Sequence, residues 1–145
     1  MNRKSIVILI LLAAILAAVI YTLLIKETLV EKVIITEKKS LSEAEMQSLP
    51  SDKTDNFVFN NSSGIYAIFI VKDLKAGNTI SMKWFKINDS KEELMQDDSV
   101  TTKKEGSGQI ATGFIMKNDA YEPGNYRMEY SLDGGTPISV NFIIK

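Results

Sequence analysis

The sequence predicts an all-β sandwich of about seven strands, carried behind an N-terminal transmembrane helix and a partly helical linker. Three observations predict it. Residues 126–144 alternate apolar and polar side chains with period two on either side of Asp133-Gly134-Gly135, which is the pattern of two half-buried strands joined by a tight turn. Further strand-like runs recur from Asn56 onward, separated by turn signals. Ahead of them, Ser5 to Ile25 forms 21 residues without a charge, almost all Ile, Leu, Ala and Val. As a helix that run spans roughly 31 Å, the depth of a bilayer's hydrocarbon core. The chain therefore divides into an anchor at 1–25, a linker at 26–55 and a β domain at 56–145.

The apolar run reads as an uncleaved anchor. It is longer than the apolar region of a secretory signal, its alanines (Ala13, Ala14, Ala17, Ala18) lie mid-run, and no Ala-x-Ala site follows. With no cysteine in the chain, a lipid-modified cysteine is excluded. Arg3 and Lys4 precede the run, whereas Lys26, Lys32, Lys38 and Lys39 follow it, so a strict count of flanking cations does not favour a cytoplasmic N-terminus. The expected orientation, C-terminal domain outside the cytoplasm, rests instead on the likeness of the leading apolar run to an export signal.

In the linker, Leu29, Val30, Val33 and Ile34 recur at helical spacing, while the β-branched cluster Val33-Ile34-Ile35-Thr36 suits a strand. Both readings stay open. Ser40 with Glu43, and Ser42 with Glu45, each fit a capping box, so Glu43 to Leu49 is expected as a short helix stopped by Pro50. Ser51 to Asp55 is polar.

Within the β domain, Ile65 to Val71 is apolar on both faces, as a central strand would be. Gly77-Asn78 marks a turn, after which Thr79 to Ile87 sets Ile80, Met82 and Trp84 on one face. Gln109 to Met116, Tyr126 to Leu132 and Ile138 to Ile144 alternate similarly. Shorter candidates are Phe57 to Phe59, Glu93 to Met95 and Val100 to Lys103. Lys103 to Gly108 reads as a mobile hairpin tip. The acidic residues Glu92, Glu93, Asp97 and Asp98, with Asn88 and Asp89, read as a solvated loop; calcium-loop spacing is missing.

Trp84 and the segment Glu122-Pro123-Gly124-Asn125-Tyr126-x-Met128 carry a resemblance. The chain resembles immunoglobulin-like β-sandwich modules of prokaryotic secreted or membrane-anchored proteins. That resemblance implies a core Trp in the third strand and a tyrosine corner at Tyr126. It also implies Met128 at the second cysteine position and Ile68 or Ile70 at the first. Without a disulfide, stability is left to packing among Trp84, Tyr126, Met128 and Phe142. The resemblance covers about 90 residues and speaks to fold alone.

Composition narrows function. Residues 26–145 hold 15 basic and 18 acidic side chains, and a net charge of −3 does not suit nucleic-acid binding. The chain has no His and no Cys, which removes the commonest general base, the thiol nucleophile and the usual zinc ligands. Neither a G-x-S-x-G elbow nor a phosphate-cradling glycine loop occurs. No enzyme activity, cofactor or metal is expected. The expected partners are the lipid bilayer and a protein or envelope component. The alternative is a pilin-like subunit that self-assembles through its N-terminal helix, although the run lacks the processing-site Gly or Ala and the early Glu of that class.

Overall fold

Where apolar side chains alternate with polar ones, one face of each strand must find cover, and here two sheets cover each other. The computed structural model describes residues 30–48, 57–60, 64–89, 91–115 and 120–145. Its strands are β1 (Val30–Thr36), β2 (Phe57–Phe59), β3 (Ile65–Leu74), β4 (Thr79–Asn88), β5 (Lys91–Thr101), β6 (Gly106–Phe114), β7 (Gly124–Leu132) and β8 (Ile138–Ile144). One helix, α1 (Glu43–Ser48), lies between β1 and β2. The predicted anchor at Ser5 to Ile25 lies outside the described residues. Among the described residues, no helix is long and apolar enough to cross a membrane.

The strands form a three-stranded sheet ordered β1-β3-β6 and a five-stranded sheet ordered β2-β8-β7-β4-β5. Lettered by chain order, the first is A-B-E and the second adds C′ and a parallel A′ strand to G-F-C. That is the strand arrangement of an immunoglobulin-like sandwich. All pairings are antiparallel except β2 with β8, where Phe57 lies opposite Phe142.

Inward-facing residues of both sheets make one core, in which Trp84, Phe69, Phe142, Met82, Met128 and Ile80 are fully buried. Trp84 stacks on Phe114 at 4.9 Å and meets Phe142 edge-on at 5.9 Å. Tyr126 stacks on Phe142 at 5.4 Å, and its hydroxyl donates to the Glu122 carbonyl at 2.7 Å, closing a tyrosine corner. The tight turn spans Leu132–Gly135: Gly135 N–H donates to the Leu132 carbonyl at 2.9 Å. Its central residues Asp133 and Gly134 take φ 49° and 69°, the two positive values that a type I′ turn needs.

Of the two readings open for residues 30–36, the strand is the one formed: Val33 and Ile35 face the core and β1 pairs with β3. Other expectations are corrected. Residues 30–48, read as part of a linker, thus lie on the sandwich. The two short strands expected at 93–95 and 100–103 are one strand, β5, with a bulge opposite Trp84 and Phe85. Its acidic residues are not a loop: an edge strand bearing charge resists pairing with another chain, so polarity there is compatible with strand. The hairpin tip expected through Gly108 is shorter, since β6 already begins at Gly106. On β3 the inward phase belongs to Ile65, Ala67, Phe69 and Val71. Ile68 faces the opposite side with Ile34 and Leu41, so neither it nor Ile70 takes the cysteine position.

Candidate interaction surface

The core residues singled out by sequence, Trp84, Tyr126, Met128 and Phe142, are all buried, and so are not a surface site. Asp133, Gly134 and Gly135 sit at the sandwich end that also holds the β3–β4 turn. There the Asp133 carboxylate accepts from Asn78 Nδ2 at 2.6 Å and Thr79 N–H at 2.7 Å, locking two turns together.

What remains is the outward phase of each sheet. On the three-stranded sheet, Ile34, Ile68 and Ile70 point outward, and the segment after β1 folds back over them with Leu41 and Met46. Two devices hold this strap down. Ser42 and Glu45 form a reciprocal capping box at the start of α1. Gln109 of β6 clamps the Leu41 backbone, accepting from its N–H at 3.0 Å and donating to its carbonyl at 2.8 Å. Lys38 pairs with Glu45; that hydrogen bond first, then those from Ser42, holds the Glu45 carboxyl down at about 2.

No such strap crosses the five-stranded sheet among the described residues. Its outward phase is read from the registers: Leu94 opposite Phe85, Phe85 opposite Arg127, Ile87 opposite Asn125, Asn125 opposite Ile143, and Ile143 opposite Val58. Leu94 and Val58 are each 50% exposed. At the centre, the Arg127 guanidinium lies 5.0 Å over the Phe85 ring. It forms a two-pronged pair with Glu92 at 2.6 and 2.7 Å and another contact with Glu129 at 2.9 Å. A planar cation held over an aromatic ring by two carboxylates is ordered in the free protein. The other half of the face carries Ser81, Ser99, Ser131, Thr79 and Thr101, small hydroxyl residues in register.

Sequence reasoning missed this face because Arg127 and Glu92 are 35 residues apart. The available signal was Phe85 and Ile87, two apolar residues on the polar phase of β4.

A cleft of about 220 Å³ opens at one end of the sandwich, with Met95, Phe114, Tyr121 and Tyr126 among its lining and Lys86 and Glu122 at its rim. Burial raises the pKa of both tyrosines. The Lys86–Glu122 hydrogen bond raises the lysine and lowers the carboxyl. Among the described residues, no group of three or more carboxylates converges as a metal site. Glu92 and Asp97 are instead paired with Arg127 and Lys83.

No protein-family model and no curated protein matches this chain. Among solved structures it is similar to a Niemann-Pick type C2 protein from the Japanese carpenter ant, at 13% sequence identity and a TM-score of 0.38, over 79% of this chain and 89% of that one. The fold described above rests on strand order and core geometry, not on that similarity.

Proposed function

We propose that this chain is a single-pass membrane protein displaying a non-catalytic immunoglobulin-like module, of the kind found in prokaryotic secreted or membrane-anchored proteins, outside the cytoplasm. The module binds a protein or envelope partner through the outer face of its five-stranded sheet. The observation that carries this reading is the apolar half of that face, where Val58 and Leu94 are half exposed on the two edge strands, Phe85, Ile87 and Ile143 are partly buried between them, and Arg127 lies over Phe85. Partly exposed apolar side chains beside an ordered Arg and an aromatic ring are the composition of binding surfaces. The uncharged run from Ser5 to Ile25 supports the anchor.

Photo-crosslinking residues placed at Leu94, Val58 and Glu43 in the full chain, in its own cells, test the face. A discrete adduct from the first two positions and none from Glu43 on the strap supports the proposal. Adducts from all three, or from none, refute it. Intact mass tests the tether: loss of the first residues with a new, modified terminus would make the chain a filament subunit instead.

A further inference from the structure

The point at which the chain enters the sandwich fixes which end of the domain meets the bilayer. Only residues 26–29 separate Ile25 from Val30, the first residue of β1. At full extension that gap covers at most roughly 18 Å. Val30 lies opposite Val71, at the end of the sandwich where β3 turns into β4, β5 gives way to β6 and β7 turns into β8.

Hydrogen bonds tie these connections into one surface. Gly77 N–H donates to the Thr102 carbonyl at 2.8 Å and Thr102 N–H to the Asn78 carbonyl at 2.9 Å, while Asn78 and Thr79 hold Asp133.

Lys72, Lys75, Lys103 and Lys104 are exposed on this end. Among the described residues none of them has a carboxylate partner; the ion pairs formed by Lys38, Lys83, Lys86 and Arg127 lie elsewhere. The carboxylates at this end are Glu31, next to Val30, and Asp73, Glu105 and Asp133. Asp133 is occupied by its two turn partners, and Asp73 accepts from the Ser107 hydroxyl at 3.3 Å. Counting Lys32 beside Glu31, the end carries five lysines against four carboxylates, a small cationic excess in a domain that is acidic as a whole. Between the lysine-bearing loop and β3 runs an open groove of about 320 Å³, with Val71, Leu74, Val100 and Ile110 in its lining.

We propose that this lysine-bearing end docks on anionic lipid headgroups, standing the sandwich upright with its bare sheet face turned sideways. The inference rests on the reading of Ser5 to Ile25 as an anchor. Lysine ammonium groups at a surface within reach of the bilayer are drawn to anionic lipid, and salt screens that attraction.

The chain has no cysteine, so Ala76→Cys at this end and Asn88→Cys at the opposite end each give one labelling site. The full chain, labelled with a fluorophore, is reconstituted into phosphatidylcholine vesicles with or without phosphatidylglycerol, each carrying a headgroup-borne quencher. Quenching is expected to be several-fold stronger at position 76 than at 88 when phosphatidylglycerol is present. It should fall with added salt and with K72Q/K75Q/K103Q/K104Q. Equal quenching at both positions, or quenching at 76 indifferent to lipid charge and salt, overturns the docking. Flotation separates the two readings: a chain that does not float with the vesicles overturns the anchor and the docking together. A chain that floats without charge-dependent quenching at 76 overturns the docking alone.

Discussion

The two outer faces of the sandwich received different treatment. Both carry apolar side chains on the phase that points away from the core. On the three-stranded sheet these are sealed: Ile68 is 0% and Ile34 7% exposed beneath the strap. On the five-stranded sheet Leu94 and Val58 keep half of their surface in water. The strap shows that local sequence is able to cover such a face using about a dozen residues, a capping box and one glutamine clamp. Among the described residues nothing comparable crosses the second face, where Arg127 lies over Phe85; that contrast is what the proposed interaction surface rests on.

Four measurements break or sharpen that contrast. The largest effect belongs to the core both faces share: Trp84→Ala should cost about 3–5 kcal/mol in denaturant unfolding, enough to threaten a small domain with no disulfide. An unchanged midpoint would refute the packing described for Trp84. Next, Leu41→Ala should cost about 2 kcal/mol and Gln109→Ala about 1 kcal/mol. Both should raise binding of a hydrophobic dye as Ile34 and Ile68 become accessible; if dye binding stays flat, the strap is not what seals that face.

Third, Leu94→Ser and Val58→Ser should each shift stability by less than about 0.5 kcal/mol while abolishing the adduct formed by the crosslinker at the other position. A large stability loss would make them core residues. The smallest effect is pH-dependent. Glu45 is held at about 2 against an ordinary 4.5, so its carboxylate favours the folded state above that ordinary value and the contribution disappears as pH falls from 4.5 towards 2. The protection of the Met46 N–H, which donates to the Ser42 carbonyl at 3.0 Å, measured against the intrinsic exchange rate at each pH, should fall across that window before that of core amides does. A simultaneous fall would mean that the strap has no local stability of its own.

Much of this was legible in the sequence where one side chain determines one contact. Trp84, the corner Tyr126, the Asp133-Gly134 turn and the Ser42–Glu45 capping box are local signals. The doubly apolar run from Ile65 to Val71 announced cover on both sides, which the strap now explains. Two kinds of feature stayed hidden. Edge strands β1 and β5 are shaped by pairing that overrides propensity, so β1 looked equally helical and acidic β5 looked like loop. Long-range clips such as Gln109 to Leu41, 68 residues apart, leave no periodic trace. The proposed interaction face belongs to the second kind: Arg127, Phe85 and Glu92 meet only after three strands have aligned.

The parallel pairing of β2 with β8 has a consequence for the order in which the fold can assemble. β2 has three residues, its partner strand is more than 80 residues downstream, and Lys145 N–H donates to the Phe59 carbonyl at 2.8 Å. Nothing nearer in the chain pairs with it among the described residues. During synthesis, Phe57 and Phe59 must wait for β8 to leave the ribosome before they have a strand to join, and that long loop closure is slow. A chain cut within β8 would keep most of its strands but leave β2 without its partner strand and Phe59 without the Phe142 ring, a form exposed to aggregation and quality control.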